Sequence, residues 1–450
     1  MSKENQKMIS NRRLFLKTSA LTTAALMTPS ASGLRGQAKN KPSDTVRLAV
    51  VGIRSRGKSH YRNFSRLANV EVKTLCDIDE RLFPDAVKEV ETLTGKRPKT
   101  VVDFRTVLDD KDIDAVAVAS PDHWHALHTL WACQAGKDVY VEKPLAYTLQ
   151  EGRLMVRASR RFNRIVQIGT QHISDPVVAE AVDLIRDGLL GKIYLGRVIV
   201  FGHRRNIGRV KDSPVPPGVH WDLFLGPAPY RPFNENRFHY KWHWYWDTST
   251  SELGNNAVHF LDVLRRGMNK QTHPVQVFCS GGFYGYDSDQ EIPNLQSAHY
   301  AYADGMKLEV EVRSLFTNSE AGLKSGCFFY GDQGWMQVQP GAYQSFLGEK
   351  DEPGPANTAA DLQTASPEMR GLDHFRNFID CVRSRKAQDL RADVWEGHLS
   401  TALSHLGNIA YRTGRQLAFN PHAERFINDE DADSYLQRDY RPPYLLPENI

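Results

Sequence analysis

The sequence predicts an α/β domain built on a parallel sheet, followed by an α+β domain with a mostly antiparallel open sheet. Three observations carry this. Between Val46 and Ile168, short apolar runs alternate with helical stretches, the order that produces parallel strands and crossovers. Chemically reactive residue types stand where those runs end, at Gly52, Asp77, Ser120 and Glu142-Lys143-Pro144. Past Thr170 the pattern changes to long alternating strands, which pair antiparallel and bury one face.

At 450 residues the chain can hold two domains, and 41% hydrophobic with 24% charged residues describes an ordinary globular protein. Its net charge of +4 is unevenly placed: residues 1–38 carry six Lys or Arg and one Glu, leaving −1 for the rest. A near-neutral body gives no reason to expect a nucleic-acid or membrane partner. The basic segment reads as a twin-arginine export signal. Asn11-Arg12-Arg13-Leu14-Phe15-Leu16-Lys17 precedes an apolar run, Thr18 to Met27, and small residues in which Ser32 or Ala38 can end a cleavage site. The run is too short to span a bilayer, so a periplasmic protein without a membrane anchor is expected after cleavage. Five cysteines are an odd count without metal-type spacing, and buried thiols are expected rather than a disulfide framework.

A polar linker, residues 39–44, leads into a strand at Val46–Val51 and the turn Gly52-Ile53-Arg54-Ser55-Arg56-Gly57, then a helix to about Leu67. The strand Val70–Cys76 follows and ends at Asp77. A dinucleotide needs this arrangement, because pyrophosphate sits on a helix N-terminus and an acid some way on accepts ribose hydroxyls. The middle glycine of the usual GxGxxG is Arg54 here, read as a clamp on the diphosphate. Asp77 would repel a 2′-phosphate, so NAD is preferred, while Arg54 and Arg56 leave NADP open.

Strands at Thr100–Asp103, Ala115–Ala119, Val139–Val141 and Ile165–Ile168 complete a Rossmann-like domain over 44–170, with a helix from Asp122 to Ala135. In the second part, 171–450, a helix at Val177–Arg186 precedes strands near 193–201, 275–284, 298–303, 307–316, 327–330 and 334–338. Residues 349–367 read as a surface loop. Helices at about 368–385 and 394–413 lead to an extended tail, Tyr440 to Pro447. Half of the eight tryptophans fall between 221 and 246. Tyr240-Lys241-Trp242-His243-Trp244-Tyr245-Trp246-Asp247, with Trp221 upstream, alternates aromatic and polar residues and reads as an aromatic wall for a sugar ring. Gln171, His172, His203 and Arg205 are candidate partners for sugar hydroxyls.

In their order, the glycine turn, Cys76-Asp77, Ser120-Pro121-Asp122-His123-Trp124-His125, Glu142-Lys143-Pro144 and Leu253 to Asp262 resemble the Gfo/Idh/MocA oxidoreductases over nearly the whole chain after the signal. The ending, Asn408-Ile409-Ala410-Tyr411-Arg412 through Arg438-Asp439-Tyr440-Arg441, resembles an exported subgroup. The resemblance implies an N-terminal NAD(P) domain, sugar or cyclitol substrates and a homo-oligomer formed through the C-terminal sheet. It places Lys143 against both the nicotinamide ribose and the substrate hydroxyl, Glu142 on the cofactor ribose, Pro121 and His125 beside the nicotinamide, and Ser120 among the cofactor-binding residues. For Asp122 and His125, helix capping and core packing stay open as alternatives.

An ammonium next to a cationic nicotinamide is expected to have a lowered pKa and to relay the hydroxyl proton. The family's Asp, four residues before its His, is Asn255 here. His259 keeps its acid or base capacity, and Asn255 is left to orient the substrate. The expectation is an NAD-dependent oxidoreductase of a sugar, cyclitol or glycoside hydroxyl, its cofactor tightly held. A redox-neutral glycosidase, lyase or epimerase passing through a keto-sugar is the alternative, and a non-catalytic sugar-binding protein a third.

Overall fold

The computed structural model describes residues 45–358, 367–448 and 450. The predicted export signal, the linker at 39–44 and the segment 359–366 lie outside the described residues.

Six strands form the first sheet: β1 (Val46–Val51), β2 (Val70–Cys76), β3 (Lys99–Val101), β4 (Ala115–Val118), β5 (Asp138–Val141) and β6 (Val166–Ile168). They lie in the order β3-β2-β1-β4-β5-β6 with every neighbouring pair parallel. The order reverses between β1 and β4, so the loops leaving those strands diverge and open a crevice at their carboxyl ends. Helices α1 (Arg56–Ser65), α2 (Phe83–Thr94), α3 (Arg105–Asp109), α4 (His125–Gln134) and α5 (Leu149–Arg161) make the crossovers. All four residues of β4 are buried, which is why it reads as an unbroken apolar run rather than an alternating one. The helix expected from Asp122 begins instead with a 3-10 turn, Asp122–Trp124. α5 starts at a capping box in which Thr148 and Glu151 satisfy each other's backbone N–H groups.

The second sheet has ten strands. After α6 (Pro176–Arg186) and β7 (Ile193–Phe201) come α7 (Trp221–Leu225), α8 (Val258–Gly267), β8 (Gln276–Gly282), β9 (Leu295–Ala301) and β10 (Lys307–Arg313). Then follow β11 (Ser325–Gly331), β12 (Gly334–Gln339), β13 (Ala342–Leu347), β14 (Glu352–Thr358), α9 (Pro367–Ser384), α10 (Val394–Thr413), β15 (Leu417–Asn420) and β16 (Arg425–Phe426). Among the described residues only β7 and β10 of this sheet pair in parallel; the other pairings are antiparallel. α6, α8 and α10 bury Val182, Leu261, Leu264 and Leu406 against Val198, Tyr300, Val310 and Phe329 of one sheet face.

Two further features differ from the sequence expectation. Part of the expected loop at 349–367 is β14, an edge strand beside β13. Pro353 and Pro355 disguise it, because an edge strand tolerates residues that cannot donate to a ladder. α9 leaves the second sheet and packs Phe375, Phe378 and Ile379 onto Tyr61, Phe64 and Tyr140 of the first domain. The five cysteines are free and buried. Among the described residues no helix is long and apolar enough to cross a membrane.

Candidate active site

The crevice between β1 and β4 opens into a cleft with an empty volume of about 1370 Å3, the open solvent at its mouth included. Its floor is the glycine turn. Gly52 has φ +77°, and a Cβ there would stand 2.6 Å from the Ala119 carbonyl oxygen; one on Gly57 would stand 1.6 Å from that of Gly52. Only glycine lets the turn fold this tightly and bring the start of α1 to the cleft. Asp77 closes one end. Its carboxylate accepts the N–H groups of Ile53 at 2.8 Å and Asp79 at 2.9 Å, yet burial pushes its pKa up to about 6 against those bonds. The open cradle over Gly52, the first turn of α1 and the Asp77 carboxylate fit a dinucleotide in size, charge and direction.

Lys143 stands at the other end, on the loop that β5 delivers. Burial lowers its pKa, while Glu142 and Asp122 oppose the fall and Arg56 adds to it. Its Nζ donates to the Asn255 carbonyl at 2.5 Å and to Asn255 Oδ1 at 3.0 Å. Asn255 lies on a π-helical turn, Leu253–Ala257, a wider turn that occurs frequently at functional sites. Its amide donates in turn to Glu252 at 3.3 Å. Burial would raise Glu252, but Arg204, His243 and Asn256 outweigh it and hold the carboxyl ionised. Beyond Lys143, His172 and His259 stack with ring centroids 4.5 Å apart. Burial lowers both, His172 to about 4 and His259 well below the ordinary value, so both rings are neutral near pH 7. The Nδ1 of each is buried without a hydrogen-bond partner.

The structure brings together Gly52, Arg54, Ser55, Arg56, Asp77, Ser120, Pro121, His125, Glu142, Lys143, Tyr240, Trp242 and Asn255 along the cleft wall. Ile53 and Gly57 are buried beneath it, shaping the turn. Four placements correct the expected roles. The Glu142 carboxylate is engaged by Arg56 at 2.7 Å and His60 at 2.9 Å, so it anchors the turn to β5 rather than standing free for a ribose. Both nitrogens of His125 face carbonyl oxygens, of Pro144 at 2.7 Å and Ser120 at 2.8 Å, which makes it a brace between two cleft segments. Arg205 is exposed and outside the cleft wall, whereas its neighbour Arg204 reaches Tyr240 Oη at 2.9 Å and Glu252 at 3.1 Å. His203 is exposed and stacks on Phe316.

The aromatic wall is mostly core. Trp221, Trp244 and Tyr245 are buried in two small apolar clusters, leaving Tyr240 and Trp242 on the cleft. His243 is buried, its Nδ1 on the Tyr240 carbonyl and its Nε2 without a partner. Gln171 lies against the Arg56 guanidinium. Asp122 is buried too, accepting the backbone N–H and hydroxyl of Thr250. Sequence reasoning missed Arg204, Glu252 and Asn256. One signal was available for Glu252, as no other charged residue lies between Asp247 and Asp262.

Comparison with known proteins agrees with this fold. Residues 46–170 match the model of an oxidoreductase family NAD-binding Rossmann fold, and 184–446 match that family's C-terminal alpha/beta domain. Curated relatives include a glycosyl hydrolase family 109 protein of Shewanella pealeana, 29% identical over 206 residues, and an alpha-N-acetylgalactosaminidase of Shewanella oneidensis, 29% over 208. Each alignment covers 41% of this chain and 45% of the relative, so the chain spans under half the length of the curated relatives it matches. Among solved structures, the WlbA dehydrogenase of Bordetella pertussis with NADH and UDP-GlcNAcA superposes with a TM-score of 0.62 at 20% identity, over 84% of this chain and 99% of that one. A levoglucosan dehydrogenase with NADH and levoglucosan gives 0.64 at 17% identity over 83% and 99%, and both likenesses speak for the fold alone. A glycine turn, an acid at the end of β2 and a lysine at the end of β5, matched by family models over both domains, make this chain a member of the Gfo/Idh/MocA oxidoreductase family, with that family's NAD-binding Rossmann fold.

Proposed function

We propose that the protein oxidises a hydroxyl of a sugar, cyclitol or glycoside, using NAD held tightly in the cleft. The observation that carries this is Lys143, a half-buried amine of lowered pKa fixed at the cleft end opposite Asp77. Bound NAD supplies the hydride acceptor. Asp77 takes ribose hydroxyls and the first turn of α1 meets the diphosphate, with Arg54 exposed beside it. Lys143 Nζ in its neutral form accepts the substrate hydroxyl proton, and burial shifts the amine toward that form. Asn255 fixes Nζ by two contacts but has no proton to exchange. The neutral His259, with His172 stacked on it, lies behind Lys143, outside the residues that line the cleft. Tyr240 and Trp242 offer apolar surface to a sugar ring, and Arg204 and Glu252 offer a donor and an acceptor.

The test is to purify the protein, identify any released nucleotide, and offer a sugar panel with and without added NAD. Reduction of NAD by a carbohydrate supports the reading, and a nucleotide-loaded protein inert to every sugar class refutes it. The unpartnered neutral imidazoles favour a second reading, redox-neutral cleavage or epimerisation through a transient keto-sugar, because such chemistry needs a base besides Lys143. The names of the curated relatives support it. Glycoside cleavage without net NAD reduction would select it over the first.

We read residues 1–38 as a twin-arginine signal and the site of action as periplasmic. Replacing Arg12 and Arg13 by Lys should retain the protein in the cytoplasm. A homo-oligomer formed through the outer face of the second sheet, where Phe328, Tyr330, Trp335 and Phe346 stack in series, is the matching proposal for assembly.

A further inference from the structure

The cleft has a wall that no cofactor motif accounts for. Residues 216–242 cross from the second domain over the β2 end of the first sheet, and Leu223, Phe224, Phe238 and His239 of this strap line the cleft beside Asp77. Tyr444, from the C-terminal tail, lines it as well.

The strap is pinned on three sides. On the crest, Val219 forms an antiparallel bridge with Asp79, Glu80 N–H donates to the Gly218 carbonyl at 2.8 Å, and His220 N–H donates to that of Ile78 at 2.9 Å. His239 Nε2 adds a contact to Asp79 Oδ2 at 2.9 Å. Beneath, the Trp124 indole N–H reaches the carbonyls of Leu223 and Phe224 at 3.1 and 3.0 Å, and a Cβ on Gly226 would fall 2.1 Å from the same indole. On the outside, Arg441 holds the Gly226 and Ala228 carbonyls and the Asp222 carboxylate, while Tyr444 Oη donates to Asp222 at 2.9 Å. The Tyr444 ring meets Trp124 edge-on at 5.3 Å.

We propose that this strap and the Tyr444 tail form a closed roof over the adenosine half of the dinucleotide, which must unpin before NAD enters or leaves. The inference rests on the placement of NAD given above and deepens it by naming what retains the cofactor. Asp77 marks where the adenosine ribose lies, and the roof residues line the same cleft, with the strap bonded to the backbone of Ile78, Asp79 and Glu80 just past it. A side chain that merely touches NAD slows its departure alone. A roof slows arrival and departure together, because both cross the same opening.

Asp222 is the pin to remove, as its side chain is largely exposed, lies outside the cleft wall and joins strap to tail. Asp222→Ala takes away the Arg441 and Tyr444 contacts, and Tyr444→Phe removes the hydroxyl alone. Full-length protein is loaded with labelled NAD, freed of excess, and followed for release into unlabelled NAD and for uptake by stripped protein. Circular dichroism and thermal unfolding establish that the variants are folded. In Asp222→Ala both rates should rise about tenfold, the loss of a charge-assisted pin, with the dissociation constant nearly unchanged and a smaller rise of both in Tyr444→Phe. Rates equal to wild type in folded variants, or faster release with unaltered uptake, overturn the roof while leaving NAD binding intact. A wild-type protein that takes up no NAD overturns the placement of the cofactor and the roof with it.

Discussion

Asn255→Asp would place a carboxylate where an amide oxygen now stands 3.0 Å from the Lys143 ammonium. An opposite charge at that range favours the protonated amine by about 1–3 pK units, and each unit lowers the neutral fraction tenfold. The new carboxylate would also lie near Glu252, whose Oε1 is 3.3 Å from the Asn255 amide nitrogen, and that like charge opposes its ionisation. The attraction wins, because Arg204 already compensates Glu252 at 3.1 Å whereas Lys143 meets only amide and carbonyl oxygens at Asn255. The acid limb of hydride transfer, where the rate rises with pH as Lys143 loses its proton, should therefore move up by about 1–3 pH units, and the rate at neutral pH should fall about 10- to 1000-fold. The assay is the pH profile of single-turnover reduction of bound NAD, followed by the absorbance of the reduced nicotinamide, with nucleotide content measured in parallel. An unmoved profile in a folded, NAD-loaded variant would mean that proton transfer does not pass through Lys143.

Three further outcomes follow from the same geometry. Lys143→Ala should lose about 100- to 10,000-fold in turnover, the range for a positioned proton-transfer group, while keeping its nucleotide; full activity would rule out the catalytic role. Asp77→Ala should lose bound NAD on gel filtration, since a charged hydrogen-bond acceptor for the ribose is gone, and unchanged nucleotide content would show the ribose lies elsewhere. Trp244→Ala should destabilise the fold by about 3–5 kcal/mol by leaving a cavity, with the KM for sugar unchanged; a raised KM at normal stability would return this residue to the substrate wall.

Local chemistry made the first half of the site legible. The turn after β1, Asp77 at the end of β2, Ser120-Pro121 after β4 and Lys143 after β5 are each dictated by a few consecutive residues, and parallel topology then collects them at one edge. The second half was obscured because its contacts are long-range. Nothing near Arg204 announces that it, rather than Arg205, turns inward to Glu252 some 48 positions on. The aromatic run from 240 to 247 has a composition that suits both a binding wall and a core; the turn geometry that buries Trp244 and Tyr245 but presents Tyr240 decides between them. β14 was hidden by its prolines, and the tail's return to the cleft is fixed by Asp222 and Trp124, more than 200 residues away from Tyr444 in the case of Asp222. Asn255 is different in kind: its departure from the expected acid was visible in the sequence, but only the structure assigns its carbonyl and amide oxygens to Lys143.

The most direct measurement is a crystal structure of the full chain grown with NAD. The nucleotide should lie across the ends of β1 and β4, its adenosine ribose on Asp77 and its nicotinamide ring against Lys143. A dinucleotide bound in the opposite direction, or in another part of the molecule with the Gly52 turn filled by side chains, would contradict the assignment of the active site.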